Sequence, residues 1–195
     1  MNFPLELRFK PIAIAPQISV TDASGTLLLY VKQKAFKLKE AVTVFADAAQ
    51  TRPLYRIAAD RVLDVSVRYR IDHEDGRPLG VLERKGIRSL WRADYEVQRG
   101  GVPALTIREE NPWVKVVDRL LGEVPVLGFL SHLLFHPAYV VARVGGARPV
   151  LRAVKRPALL ESRFTIQETE RMPPDDETLA LLALLMFVLR ERWRG

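Results

Sequence analysis

The chain has 195 residues, of which 48% are hydrophobic and 27% are charged, and it contains no cysteine. This size and balance fit one globular core, and the lack of cysteine excludes disulfides, thiolate catalysis and cysteine-based zinc sites. The formal net charge of +7 favours anionic partners such as nucleic acid, an acidic membrane surface or a phosphorylated ligand, although a basic surface equally serves solubility.

The first residues predict neither a secretory leader nor a membrane anchor. Charges are scattered through MNFPLELRFKPIAIAP, which lacks the uninterrupted apolar core of a signal peptide. No stretch of the sequence reaches the roughly 18 apolar residues that a spanning helix requires. We therefore expect a cytoplasmic protein that meets membranes, if at all, only peripherally.

Short runs of alternating apolar and polar residues predict a series of β-strands from about residue 12 to residue 169. The clearest run is DVSVRYRID at 64–72, in which Val67, Tyr69 and Ile71 point to one face and Arg68 and Arg70 to the other. The other candidates are 12–20, 27–34, 42–46, 53–59, 78–85, 91–98, 104–109, 139–144, 149–156 and 162–169.

Turns that contain glycine separate several of these strands. They lie at Gly25, Gly76, Gly100-Gly101 and Gly145-Gly146, where a hairpin needs a residue with positive φ. Eleven or so strands at this spacing are typical of a β-sandwich or a β-barrel.

One segment interrupts the strand pattern, at residues 111–136 with the sequence NPWVKVVDRLLGEVPVLGFLSHLLFH. Trp113, Val116, Val117, Leu120 and Leu121 recur there at helical spacing, and Pro125 ends that piece. We predict a helical insertion at about residues 112–135, between two strands of the sheet.

The apolar run LALLALLMFVL at 179–189 predicts a helix without a polar face. At about 1.5 Å per residue it covers roughly 16 Å, which is half of a ~30 Å hydrocarbon layer, so burial in protein is favoured over burial in lipid. Acids at 175–177 precede the helix and Arg190 follows it, as the helix dipole prefers. A closed barrel threaded by this helix would cover both the helix and the inner face of the sheet.

Several motifs resemble those of the LURP-one-related family, which belongs to the tubby C-terminal-like superfamily together with the phospholipid scramblases. They are the many basic strands, Asn111-Pro112-Trp113, the sequence His136-Pro137-Ala138-Tyr139 and the closing apolar helix. The resemblance covers nearly the whole chain and implies one mainly β domain over residues 1–195. It implies a closed antiparallel barrel of about twelve strands around a buried C-terminal helix.

For function, the resemblance implies a non-enzymatic module that binds phosphoinositides or other anionic phospholipids. Scramblase-like membrane activity is a weaker implication, because the acids at 175–177 lack the alternating ligands and the glycine of a calcium loop and are better explained as helix caps. Many LURP-one-related proteins have no settled activity. A protein-interaction module that uses the 111–136 insertion is the alternative.

Two sets of cations are the candidate anion-binding residues. The first set is Lys32, Lys34, Lys37 and Lys39, and the second is Arg84, Lys85, Arg88 and Arg92. Clustered ammonium groups attract phosphate oxygens as point charges, but lysines that protect a solvated edge strand would give the same pattern. Outward arginines at 68, 70, 152 and 156 would form a basic stripe only if neighbouring strands align them.

The remaining motifs argue against catalysis and cofactors. His132 and His136 are four residues apart, but no acid between them completes a metal site. The sequence has no Gly-x-Ser-x-Gly elbow and no phosphate-cradling glycine loop, so we expect neither an enzyme nor a bound cofactor or metal. Nucleic acid is disfavoured as a partner because Trp91 and Tyr95 alternate inward, away from the basic residues.

Overall fold

The computed structural model describes residues 1–10, 17–32, 41–62, 67–84, 94–110, 138–156 and 162–192. Within these ranges the chain forms twelve β-strands and one α-helix. They are β1 (Leu5–Lys10), β2 (Gln17–Thr21), β3 (Leu27–Lys32), β4 (Val42–Phe45), β5 (Pro53–Val62), β6 (Val67–His73), β7 (Pro78–Arg84), β8 (Asp94–Arg99), β9 (Val102–Glu109), β10 (Ala138–Arg143), β11 (Pro149–Arg156), β12 (Ser162–Glu168) and α1 (Pro174–Arg192).

The strands form a closed antiparallel barrel. Each strand pairs with its neighbours in sequence, and β1 pairs with β12 to complete the ring. At that closing seam Leu5 lies opposite Ile166, and Leu7 lies opposite Phe164. Closure gives every strand a partner on both sides, so the barrel presents no open sheet edge. The predicted fold, a barrel of about twelve strands with a C-terminal helix, is confirmed.

The first strand, β1, is the one that the sequence analysis missed, because the predicted series began only at residue 12. Leu5, Leu7 and Phe9 are at most 4% exposed and alternate with outward polar residues. The alternation is visible in LELRFK, but prolines on both sides keep the run short. The missed strand matters for function, since it contributes two cations to the outer wall of the barrel.

Helix α1 fills the interior of the barrel, as its sequence predicts. Every residue from Leu179 to Leu189 is at most 5% exposed. Phe187 fixes the helix against the wall with two edge-to-face ring contacts, to Tyr95 at 5.2 Å and to Tyr139 at 4.9 Å between ring centroids. The apolar surface of the helix and the inner face of the sheet therefore bury each other.

Polar contacts hold both ends of α1. At its start, Arg99, the last residue of β8, donates to Asp175 at 3.1 Å and also to Asp176. Near its end, Arg190 Nη1 donates to the Tyr69 hydroxyl at 3.1 Å, and both side chains are buried. We call the end of the barrel where α1 begins the lower end and the opposite end the upper end. Odd-numbered strands run from the lower end to the upper end.

Turns at the lower end have the geometry that their sequences predict. Gly100 and Gly101 join β8 to β9 with φ values of 59° and 80°, a region that side chains disfavour. Gly25, Gly76 and Gly145 also have positive φ. The other prediction about connections, a helical insertion at about residues 112–135 that includes His132, lies outside the described residues, as does His136.

Two exposed aspartates organise turns at the lower end. Asp22 Oδ1 accepts bonds from the backbone of Ser24 and Thr26, both at 2.9 Å, and from the Ser24 hydroxyl. Asp47 accepts bonds from the backbone of Thr51 at 3.1 Å and of Arg52 at 2.8 Å. The Ser24 hydroxyl is the main cause that lowers the pKa of Asp22, and the Thr51 N–H is the main cause that lowers the pKa of Asp47.

We expect these two carboxylates to make stability depend on acid pH. Because the folded pKa is lowered, their contribution is fully present above the unfolded value of about 3.9 and is lost as pH falls through the folded pKa. Replacing both Asp22 and Asp47 with Asn should lower the melting temperature at pH 7 and flatten its decline at acid pH. Melting curves recorded from neutral to acid pH test this, and a decline as steep as that of the parent would contradict it.

Candidate anion-binding face

The two cation sets predicted from sequence start at the same end of the barrel. Lys32 is the last residue of β3 and Arg84 is the last residue of β7, so both lie at the upper end. The ring order places β4, β5 and β6 between these strands, so the two residues lie on different sides of the barrel. The other members of the sets, Lys34, Lys37, Lys39, Lys85, Arg88 and Arg92, lie outside the described residues.

The structure places Lys32 and Arg84 in different environments. Lys32 is exposed, whereas Arg84 is only 3% exposed. Arg84 lies on the inner face of β7 together with Leu82, because side chains two residues apart on a strand point to the same side. An anion-binding role for either residue remains a prediction, but Lys32 is the one that solvent reaches.

Strand register creates a row of arginines that sequence reasoning did not find. Arg8 of β1 lies opposite Arg163 of β12, and Arg163 lies opposite Arg156 of β11. All three alternate with the inward side chains of their strands, so they project from the outer wall. Neighbouring strands are about 4.8 Å apart, so the backbone positions of the three arginines lie within roughly 10 Å across the sheet.

Two lysines extend this row around the barrel. Lys10 of β1 lies opposite Gln17 of β2, which in turn lies opposite Lys32 of β3. Both lysines are exposed and lie at the upper end of their strands. We call the five cations the basic face. Its members are Arg156 of β11, Arg163 of β12, Arg8 and Lys10 of β1, and Lys32 of β3, within a wall of five consecutive strands to which β2 contributes no cation.

Acids are scarce on the basic face. In the described residues of its five strands the only acids are Glu6 and Glu168, and Glu168 lies at the lower end of β12. Glu6 accepts two bonds from Arg8, at 2.8 Å from Nε and 3.2 Å from Nη2. The hydrogen bond from Arg8, helped by the charges of Arg8 and Arg163, lowers the pKa of Glu6, which therefore stays ionised at neutral pH. Among the described residues of these strands, basic side chains therefore outnumber carboxylates.

Arg156 illustrates the excess of positive charge. Its Nε donates to the Thr165 hydroxyl at 3.1 Å, and no described residue offers it a carboxylate. Arg152, two residues earlier on the same strand, instead pairs with Glu110 at 2.8 Å. The cation nearest the upper end of β11 is therefore the one whose charge remains available to a ligand.

The strand order does not align the outward arginines at 68, 70, 152 and 156 into one basic stripe. Arg68 and Arg70 lie on β6, and four strands separate β6 from β11, which carries Arg152 and Arg156. Arg70 pairs with Asp72 at 2.7 Å, and Arg68 lies 3.9 Å from Asp60. Only Arg156 of these four joins the basic face, through a register that alternation within one strand cannot reveal.

Two further observations on the described residues concern metals and membranes. Across these ranges no group of three or more His, Asp or Glu side chains is placed to hold a metal ion. No helix in the described part of the chain has the length and hydropathy to cross a bilayer.

Comparison with known proteins agrees with the barrel and its central helix. The family model described as LURP-one-related matches residues 27–122. The resemblance to the LURP-one-related family is confirmed. The LURP-one-related match begins at the first residue of β3 and contains all eight cations predicted from sequence. Arg8, Arg163 and Arg156 lie outside it.

A solved structure shares the fold. The X-ray structure of an Arabidopsis thaliana protein matches with a TM-score of 0.50 and 15% sequence identity, and the match covers 97% of this chain and 91% of that chain. At this identity the likeness concerns the fold alone. No curated protein matches the chain.

Proposed function

We propose that residues 1–195 act as one non-enzymatic module that binds anionic phospholipid headgroups, phosphoinositides included, through the basic face. The observation that carries this proposal is the register of Arg8, Arg163 and Arg156, which places three arginines side by side on the outer wall. The net charge of +7 adds long-range attraction to an acidic bilayer. The absence of cysteine and of a nucleophile motif supports the non-enzymatic part of the proposal.

The geometry suits a surface better than a deep pocket. The five cations lie on the outer wall of four strands, β11, β12, β1 and β3, toward the upper end, so a bilayer can approach them from this end of the barrel. Lys34, Lys37 and Lys39 follow β3 directly in sequence, and in this proposal they add to the charge beside Lys32. The protein would then act peripherally at a cytoplasmic membrane surface.

Cosedimentation with vesicles tests the proposal. Each basic residue near an anionic surface contributes about 1 kcal/mol, so the triple variant Arg8→Gln, Arg163→Gln, Arg156→Gln should bind phosphatidylserine vesicles on the order of 100-fold more weakly. Salt should weaken binding by the parent protein in the same assay. Replacing Glu6 with Gln removes the carboxylate that pairs with Arg8 and should strengthen binding several-fold.

A matched control separates the basic face from net charge. Arg52, Arg77 and Arg148 are exposed and lie in turns at the lower end, so changing all three to Gln removes the same charge elsewhere. This control should bind almost as the parent does. Equal loss in both triple variants, or binding that ignores the anionic lipid content, would overturn the proposal. A separate variant measures how much the lysine set contributes to vesicle binding. It replaces Lys32, Lys34, Lys37 and Lys39 with Gln.

A further inference from the structure

A cleft at the lower end of the barrel lies far from the basic face. It has a volume of about 520 Å³ and lies between the turn that joins β6 to β7 and the turn that joins β8 to β9. This volume falls within the range of about 300–1,000 Å³ that is typical of small-molecule sites. Its lining includes Arg70, Arg77, Leu79, Arg99 and Asp175.

Two arginines of the cleft are held in place by bonds that use only part of each guanidinium group. Arg70 donates from Nε to Asp72 at 2.7 Å, and Arg77 donates from Nε to Asp75 at 2.7 Å. Their side chains are 54% and 70% exposed. Because each aspartate engages Nε, both Nη groups of each arginine remain to donate to a ligand, and the side chains are already oriented.

The carboxylate in the lining, Asp175, is already paired. Arg99 uses both of its Nη groups, one on Asp175 and one on Asp176. Asp175 also belongs to the first turn of α1, which places the positive end of the helix dipole beside the cleft. An anion entering here therefore meets two donating arginines and a carboxylate that is already paired.

The floor of the cleft is apolar and lacks bulky side chains. Leu79 is 5% exposed beneath it, beside Gly80. Gly100 and Gly101 form one wall, and no atom comes within 4 Å of the position that a Cβ would take at either residue. The open space thus lies beside the arginines, with a surface that suits a short carbon skeleton.

We propose that this cleft binds a small molecule that carries two oxyanion groups, either carboxylates or phosphates, one on the Nη groups of Arg70 and one on those of Arg77. Leu79 contacts the part of the ligand that joins the two anionic groups. The site is independent of lipid binding, because it lies at the opposite end of the barrel and shares no residue with the basic face.

Titrations followed by ¹H–¹⁵N NMR test this proposal, with succinate and inorganic pyrophosphate as separate probes at constant ionic strength. We expect saturable shifts of the Gly80, Val81, Gly100 and Gly101 amides, with a Kd of about 1 mM or below for at least one probe. Succinate alone would identify a dicarboxylate site, and pyrophosphate alone a phosphate site. Uncharged succinamide should leave the same amides unshifted.

Variants make the result specific. Arg77→Gln removes one exposed donor from a turn and should weaken binding of the probe by about tenfold, which corresponds to one charge-assisted pair. Arg148→Gln changes an exposed arginine of another lower-end turn and should bind as the parent does. Failure of both probes to saturate by about 10 mM, ten times the expected Kd, or equal binding by Arg77→Gln, would overturn the proposal. Vesicle binding by the same variants reports on the basic face separately.

Discussion

Replacing Leu182 with Asp is expected to abolish folding of the barrel. Leu182 is fully buried in the middle of α1, where apolar residues surround the helix on every side. An unpaired charge at such a site costs several kcal/mol, which is comparable to the whole stability of about 5–15 kcal/mol of a typical domain. Leu185, which is 1% exposed one turn later, should behave in the same way.

Circular dichroism and gel filtration measure this loss. The aspartate variants should lack a cooperative melting transition and should elute as expanded or aggregated protein. Leu182→Met keeps the volume of the side chain and should cost less than about 1.5 kcal/mol. A Leu182→Asp protein that melts as cooperatively as the parent would show that the helix does not fill the barrel.

Replacing Gly80 with Ala should displace the helix from the wall. A Cβ at Gly80 would lie 2.7 Å from the Gln98 carbonyl oxygen and 2.7 and 2.8 Å from the two methyl groups of Leu179. A shift of the helix would relieve the contact with Leu179, but the backbone oxygen cannot move without disturbing the pairing of β7 with β8. Alanine gains about 0.5–1 kcal/mol of strand preference over glycine, but overpacking costs about 1–3 kcal/mol and is expected to prevail.

The measurable result is a lower melting temperature, by roughly 3–10 °C for a protein of this size. Gly146→Ala is the matched control, because a Cβ there comes no closer than 3.2 Å to Arg143 in an exposed turn. Its melting temperature should change by much less. A Gly80→Ala protein as stable as the parent would contradict the close packing of β7 against β8 and α1.

Much of the fold was predictable because its signals are local. Alternation in the strands identified Tyr69, Ile71 and Val97 as inward residues, and each is at most 3% exposed. The apolar run of α1 required a surrounding wall, and a barrel is the simplest wall that short antiparallel strands can build. β1 was missed because its alternation covers only six residues between two prolines.

The candidate site was less predictable because it depends on register. The cations predicted from sequence are neighbours along the chain, such as Lys32 and Lys34, whereas the basic face joins residues 148 positions apart, from Arg8 to Arg156. Cross-strand neighbours become known only when the pairing of β1 with β12 and of β12 with β11 is known. The inward position of Arg84 was not predicted, although Leu82, two residues before it, lies on the same face of β7.

Lipid binding through the basic face requires that the helix stays inside the barrel while the outer wall contacts the lipid. Hydrogen exchange followed by mass spectrometry, with and without phosphatidylserine vesicles, examines both parts at once. We expect peptides from β12 and β1 to gain protection on adding vesicles, while the amides of 179–189 exchange only through global unfolding in either condition. Vesicle-dependent exchange within the helix, or protection confined to the lower end, would contradict the account.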